Sequence, residues 1–427
     1  KMKSTRRERI SWYAYDWANS GFYTTVITVF LGPYLTTIVK NAADINGYIN
    51  LFGIPIYEAS FFPFVVSFSV LLQVVFLPLI GAIADWTKRK KLLLGLFAYL
   101  GSFATIGLFF LEGERYLLGA VLFIIANISF GCSVVVYNSF LNDISEKHET
   151  DKISSIGWAF GYLGGGLLLA ANLILFSNAE NLGITTGYAI RISLLSAGVW
   201  WAFFTIFPML FLKDKLAPQS IPKGQNYLTF GFRQFIHTLK DAKNYPQTLL
   251  FLIAYLIYND GVQAVIVLSS QFGQEELSLD ISTLTTAILI VQFVAFLGAL
   301  LFNYISKAIG AKNAILISLV IWSMALIYAF GFLENEFQFY IMAITIAVVL
   351  GGTQALSRSM FANLIPKGKE AEYFSMYEIS ERGTSWLGPF IFGITLQLSG
   401  SYRYAILSLI LFFIIGFILL IRLKTNK

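Results

Sequence analysis

Tyr15-Asp16-Trp17-Ala18-Asn19-Ser20-Gly21 lies in the first long apolar stretch of the chain, and Tyr255-Leu256-Ile257-Tyr258-Asn259-Asp260-Gly261 returns the same tyrosine, asparagine and glycine spacing 240 positions later. A second match stands at an offset of 220, where Gly131, Ser133, Ser139 and Ser155 correspond to Gly351, Thr353, Ser359 and Ser375. Both matches fall in apolar helical stretches, so the chain reads as two related halves in tandem. The offsets differ because the first half carries extra residues between its first and fourth apolar stretches, with residues 38 to 58 as the insertion.

With 427 residues, 57% of them hydrophobic, 13% charged and a mean hydropathy of +0.70, the chain is far more apolar than a soluble protein. About 20 apolar residues cross the hydrocarbon core as a helix. Twelve such stretches lie near 11 to 37, 60 to 84, 92 to 111, 116 to 141, 153 to 176, 189 to 212, 248 to 272, 283 to 306, 312 to 333, 337 to 363, 373 to 398 and 402 to 422. The runs are continuous and not alternating, which excludes a closed β-barrel. The expected fold is an all-α membrane protein with twelve transmembrane helices in two six-helix bundles. Residues 1–212 form the first bundle, 213–247 a cytoplasmic linker and 248–427 the second bundle. A short amphipathic piece near Phe230 to Leu239 lies in the linker, read either as a surface helix or as plain loop.

The net charge of +6 would suit a nucleic-acid partner, but its placement follows membrane orientation. On this span map 24 of the 30 Lys and Arg residues precede the first span, follow the last, or fall in alternate loops. The opposite loops hold only Lys40, Arg115, Arg191 and Arg403. Both termini are therefore expected on the cytoplasmic side, with the bilayer and a small molecule as partners and no nucleic acid, and the short loops point to a bacterial-type plasma membrane. The single cysteine, Cys132, lies in a span, and His148 and His237 lie in predicted loops, so neither a disulfide framework nor a metal site is expected. The sequence carries no G-x-x-x-x-G-K-[ST], HExxH or GxSxG pattern, so no enzyme activity and no cofactor are expected.

Charged side chains inside spans cost roughly 2.5 to 3.5 kcal/mol each on insertion scales and persist where paired or facing water. Six are kept: Asp16, Asp260, Arg358, Glu378, Glu381 and Arg382. Glu378, Glu381 and Arg382 share one helix face, and Arg358 lies within pairing reach of Glu378. This group reads either as a clamp between spans 10 and 11 or as groups lining a wet cavity. Asp260 falls mid-span, where desolvation favours its protonated form, as a proton-coupling group requires. The alternative is an acid satisfied by Asn259. Asp16 reads either as a helix-start acid or as a site residue. Asn19, Tyr23, Asn138, Trp158, Tyr162, Tyr255, Gln263 and Gln354 add polar or aromatic groups at mid-span. Tyr15, Asn19 and Tyr23 share a face at i, i+4, i+8, and Tyr255, Asn259 and Gln263 repeat it. Repeated halves with substrate held near the midplane are a known way to build a secondary transporter.

The stretch Gly81-Ala82-Ile83-Ala84-Asp85-Trp86-Thr87-Lys88-Arg89-Lys90 resembles the G-x-x-x-D-x-x-G-R-[RK] signature loop of the major facilitator superfamily, with Lys88 in place of its second glycine. The resemblance implies a conformational latch at Gly81, Asp85 and Arg89. Tyr15 to Ser20, Gly157-Trp158-Ala159-Phe160-Gly161-Tyr162-Leu163-Gly164-Gly165-Gly166 and Gln354-Ala355-Leu356-Ser357-Arg358-Ser359 resemble the vacuole-effluxer-like family of amino-acid effluxers, in a bacterial-type member. That resemblance implies twelve helices and export of amino acids, with leucine-like substrates the family expectation; separately, the chain is expected to act as a monomer.

Overall fold

A computed structural model describes residues 5–86, 89–144, 150–214, 243–364 and 386–424, together with 229, 233, 236, 240 and 377. Among these, ten helices are long and apolar enough to cross a membrane, and two shorter apolar helices accompany them. A helix satisfies each backbone polar group within its own segment, which is what a bilayer demands of a chain this apolar. The chain divides into two compact units, Lys1–Asn41 with Ser69–Phe235, and Ala42–Phe68 with Ile236–Lys427.

In the first unit α1 (Arg6–Gly21) opens with a capping box, in which the Thr5 hydroxyl accepts from the Glu8 N–H and the Glu8 carboxylate accepts from the Thr5 N–H. Residues Phe22–Phe30 continue it as a π-helix, and α2 (Leu31–Ala42) completes the rod. The widened turns show in the Leu31 N–H, which reaches back to Val26 O, and in the Thr28 hydroxyl, 2.9 Å from Tyr23 O. The unit continues with the second part of α3 (Glu58–Trp86), then α4 (Lys90–Gly107), α5 (Tyr116–Ser139), the short α6 (Leu141–Ile144), α7 (Thr150–Ser177) and α8 (Thr186–Phe211). Arg191, on α8, pairs with Glu112, and its guanidinium lies 5.5 Å from the Phe109 ring and 5.3 Å from the Tyr188 ring.

The second unit begins with an antiparallel hairpin, β1 (Tyr48–Leu51) and β2 (Ile54–Tyr57), inside the segment read from sequence as an insertion. It continues with the first part of α3, α9 (Pro246–Leu277), α10 (Ile281–Ile309), α11 (Ala311–Gly331), α12 (Glu336–Leu364), α13 (Leu387–Ser399), α14 (Tyr402–Ser408) and α15 (Ile410–Ile421). Arg403 pairs with Glu276 and donates to the carbonyls of Phe330 (3.0 Å) and Leu333 (2.8 Å), closing the C-terminal end of α11. Arg191 and Arg403, two of the four basic residues assigned to one side of the membrane, are thus each bound within their own unit.

Small residues set the packing distance, as expected where helices gain nothing from leaving lipid. A Cβ on Gly298 of α10 would lie 2.6 Å from the Val348 Cα of α12, against backbone that cannot swing aside. Gly298→Ala is therefore expected to lower stability by about 1 to 3 kcal/mol. Gly331→Ala, with open space around it, should change stability by less than about 0.5 kcal/mol. Thermal unfolding of the two purified variants beside the parent checks both expectations.

Candidate functional site

The two motifs that carry the family resemblance in the first half meet in the structure. Gly157, Gly161, Gly164 and Gly165 line one face of α7 at helical spacing and lie against α1. A Cβ would stand 2.9 Å from Asp16 Oδ2 at Gly157, 2.9 Å from Ser20 Oγ at Gly161, 2.9 Å from the Trp17 Cα at Gly164 and 2.9 Å from Thr24 Cγ2 at Gly165. Four glycines in three turns are what allow α1 to approach α7 with its backbone nearly in contact. The Ser20 and Thr24 hydroxyls then have no room to reach outward. They turn back to Asp16 O (2.6 Å) and Ser20 O (2.8 Å) on their own helix.

Asp16 is half-buried, and its Oδ2 accepts from the Tyr137 hydroxyl at 2.9 Å. Tyr137 is fixed in turn by Trp12, whose ring stacks on it at 4.4 Å and whose Nε1 donates to Tyr137 O at 3.0 Å. Tyr15 packs on the same tyrosine at 5.1 Å, and its oxygen accepts from Trp201 Nε1 at 3.4 Å. One helical turn along this face is Asn19, buried, with no hydrogen-bond partner for Nδ2 among the described residues. Tyr23, half-buried, stacks on Phe130 at 6.2 Å. Tyr162 and Asn138 are half-buried, and the Trp158 side chain lies outside the described residues.

The second unit repeats part of this with different chemistry. Tyr255 stacks on Tyr377 at 4.4 Å and on Phe251 at 6.3 Å, and Tyr258 shares a 2.6 Å hydrogen bond with the Ser357 hydroxyl. Asn259 is buried and its Nδ2, like that of Asn19, has no partner among the described residues. Asp260 is buried, and its Oδ1 accepts from the Gly388 N–H at 3.1 Å, in the first turn of α13. Asn259 therefore does not satisfy Asp260, as one reading of the sequence had it. Adjacent helical residues point about 100° apart, and the carboxylate turns to a helix N-terminus, whose free N–H groups and dipole favour negative charge. Gly388 is required there, since a Cβ would stand 3.0 Å from that same Oδ1. Gln263 and Gln354 are half-buried. The Arg358 side chain and all of Glu378, Glu381 and Arg382 lie outside the described residues.

In the signature loop the surroundings of Gly81 and the side chain of Asp85 fall outside the description, and Arg89, exposed, precedes α4 as its N-cap. Its neighbours carry the visible contacts. Lys90 and Asp143 form a buried ion pair at 3.4 Å, and the Lys91 N–H donates to Asp214 Oδ1 at 3.1 Å. Sequence reasoning did not single out Asp143, Asp214 or Tyr137. Gly388-Pro389 does signal the start of α13, because proline is favoured in the first turn of a helix. No group of three or more His, Cys, Asp or Glu side chains among the described residues is placed to hold a metal. Each unit thus carries, on its own helices, hydrogen-bond donors, aromatic faces and one held carboxylate, the equipment for holding a small polar molecule.

The family described as "Vacuole effluxer Atg22 like" matches residues 4–427. A Bacillus subtilis (strain 168) protein named "Uncharacterized MFS-type transporter YxiO" is 30% identical over 421 residues, covering 98% of this chain and 95% of that protein. Autophagy-related protein 22 of Yarrowia lipolytica is 28% identical over 468 residues, covering 89% of this chain and 78% of its own. Among solved structures, a D-xylose-proton symporter superposes with a TM-score of 0.73 at 12% identity, covering 98% of each chain. The nucleoside transporter NupG gives 0.66 at 13% identity, covering 98% of this chain and all of its own. At such identities these two likenesses establish the fold alone. The chain belongs to the Atg22-like vacuole effluxer family and is a multi-pass membrane transporter of the MFS type.

Proposed function

We propose that this transporter exports amino acids with leucine-like side chains across a bacterial plasma membrane, by alternating access of two six-helix halves totalling twelve spans. It acts as a monomer with both termini cytoplasmic. The observation that carries this reading is the matched pair Asn19 and Asn259, each buried, each one turn beyond a buried tyrosine, each with a carboxamide nitrogen that no group among the described residues accepts from. A buried donor left without a partner costs about 1 to 3 kcal/mol. Evolution of two of them at repeated positions is economical if a substrate carboxylate is the acceptor. The tyrosine and tryptophan faces around Asp16 suit the ammonium end of the same zwitterion, through ring faces and through the carboxylate itself.

Asp260 is the proposed coupling group. While ionised it holds the first turn of α13, and protonation removes the charge that the helix N-terminus favours. Proton uptake would thus loosen one helix from α9, a local change of the kind an alternating-access cycle can use. A second reading is favoured by the same donors, since tyrosine and asparagine side chains also bind hydroxyls. In it the fold moves a sugar or another polyol, as the D-xylose symporter does by its description.

Flux into proteoliposomes separates these readings. Labelled leucine should enter or leave faster in the presence of a pH gradient, and Asn19→Leu or Asn259→Leu should reduce that flux at least tenfold, equivalent to about 1.4 kcal/mol of lost interaction. Asp260→Asn should retain exchange of labelled for unlabelled leucine while losing the response to the gradient. Movement of xylose with no amino-acid flux would support the polyol reading, and movement of neither would contradict both.

A further inference from the structure

Residues 45–57, Ile-Asn-Gly-Tyr-Ile-Asn-Leu-Phe-Gly-Ile-Pro-Ile-Tyr, contain no charged side chain although they form a loop between two spanning helices. Connecting loops over water are ordinarily polar, because an apolar side chain gains nothing there. Here three large apolar side chains project: Ile45 is 102% exposed, Phe52 95% and Ile54 63%. Their display is built. Asp44 Oδ1 accepts from the N–H groups of Asn46 and Tyr48, both at 2.9 Å, which fixes the corner that carries Ile45. At the tip Phe52 takes φ +52°, a left-handed conformation that bulky residues rarely adopt, and Gly53 follows at φ +88°. The Gly53 N–H is held by Asn50 Oδ1 at 2.8 Å.

The base of the hairpin is tied to α13. The Tyr57 N–H donates to Gln397 Oε1 at 2.9 Å, and Ser60 Oγ donates to Gly393 O at 3.1 Å. Next to Gln397 stands Leu398, 82% exposed, last in an apolar exposed row with Leu387, Phe390 and Ile394 along that short apolar helix. An exposed apolar row thus leads along α13 to the base of the hairpin. Tyr48 and Tyr57, paired across the strands at 5.7 Å, add the aromatic type enriched where membrane meets water.

We propose that this hairpin is a membrane-surface anchor: Ile45, Phe52 and Ile54 insert into the boundary between head groups and acyl chains of the leaflet beside α13. Insertion follows from the area removed from water and needs no charged lipid. It would hold the start of α3 and the end of α13 at fixed depth, a role separate from substrate binding.

The single cysteine makes the test clean, because Cys132 is buried and can be replaced by serine. In that background Phe52→Cys, Ile54→Cys and Ile45→Cys are labelled singly with a nitroxide and reconstituted in phosphatidylcholine vesicles, with Glu180→Cys, on an exposed loop, as the aqueous reference. Collision rates with oxygen, which concentrates in acyl chains, and with a water-soluble nickel chelate are measured at each position. The anchor requires oxygen to dominate at 52 and at 45 or 54, reversing the ratio found at 180. Nickel dominating at all three positions would overturn it, and so would protection from both reagents, which would mean that protein covers the tip. Ile45 and Phe52 lie on separate turns, so loss of one variant to misfolding leaves the other to decide.

Discussion

A polar group at the depth of a bilayer has no water to turn to, so its partner must be found inside the protein, and in this chain that partner is repeatedly the end or edge of another helix. Asp260 is held by the first turn of α13, Arg403 by the last carbonyls of α11 and Asp16 by the tyrosine of α5. Each such bond locks two helices at a fixed level and rotation, which nonspecific apolar packing does not. The same demand explains why serine and threonine hydroxyls here so often return to a carbonyl one turn back on their own helix.

Against that background the two unpartnered carboxamides on the repeated faces stand out. Each lies on a helix whose tyrosine one turn earlier belongs to an aromatic cluster of its own unit. The glycine face of α7 has a complementary role. It lets α1 pass so closely that the position of Asp16 and Asn19 is set by backbone, and any shift of α1 along α7 would move both together. The π-helical turns that follow offer α1 a place to absorb such a shift, as departures from α-helical bonding often do near working parts of a protein.

Much of this was legible in the order of residues. Apolar length pointed to a helical chain with many spans, ten of which, among the described residues, are long enough to cross a membrane, and the repeated tyrosine and asparagine spacing pointed to Asn19 and Asn259. Other features depend on which helices lie side by side. Nothing in the sequence near Asp16 names Tyr137, 121 positions away, and nothing near Asp260 names Gly388, because span-to-span neighbours are fixed by topology and not by local pattern. The π-helix has no residue signature in Phe22–Phe30, whose threonines and β-branched residues suit several helical states. The hairpin at 48 to 57 was visible only as an insertion, since two four-residue strands alternate too briefly to rise above an apolar loop.

The central claim is that buried amide donors on both repeated faces await a substrate carboxylate, and ligand-dependent stability of the purified protein tests it most directly. Millimolar L-leucine should raise the unfolding temperature of the parent in proportion to the logarithm of its concentration, while leucinol, which lacks the carboxylate, should not. The Asn19→Leu, Asn259→Leu double variant should keep its fold and lose the response. An equal shift with leucinol, or an undiminished response to leucine in the double variant, would contradict the account.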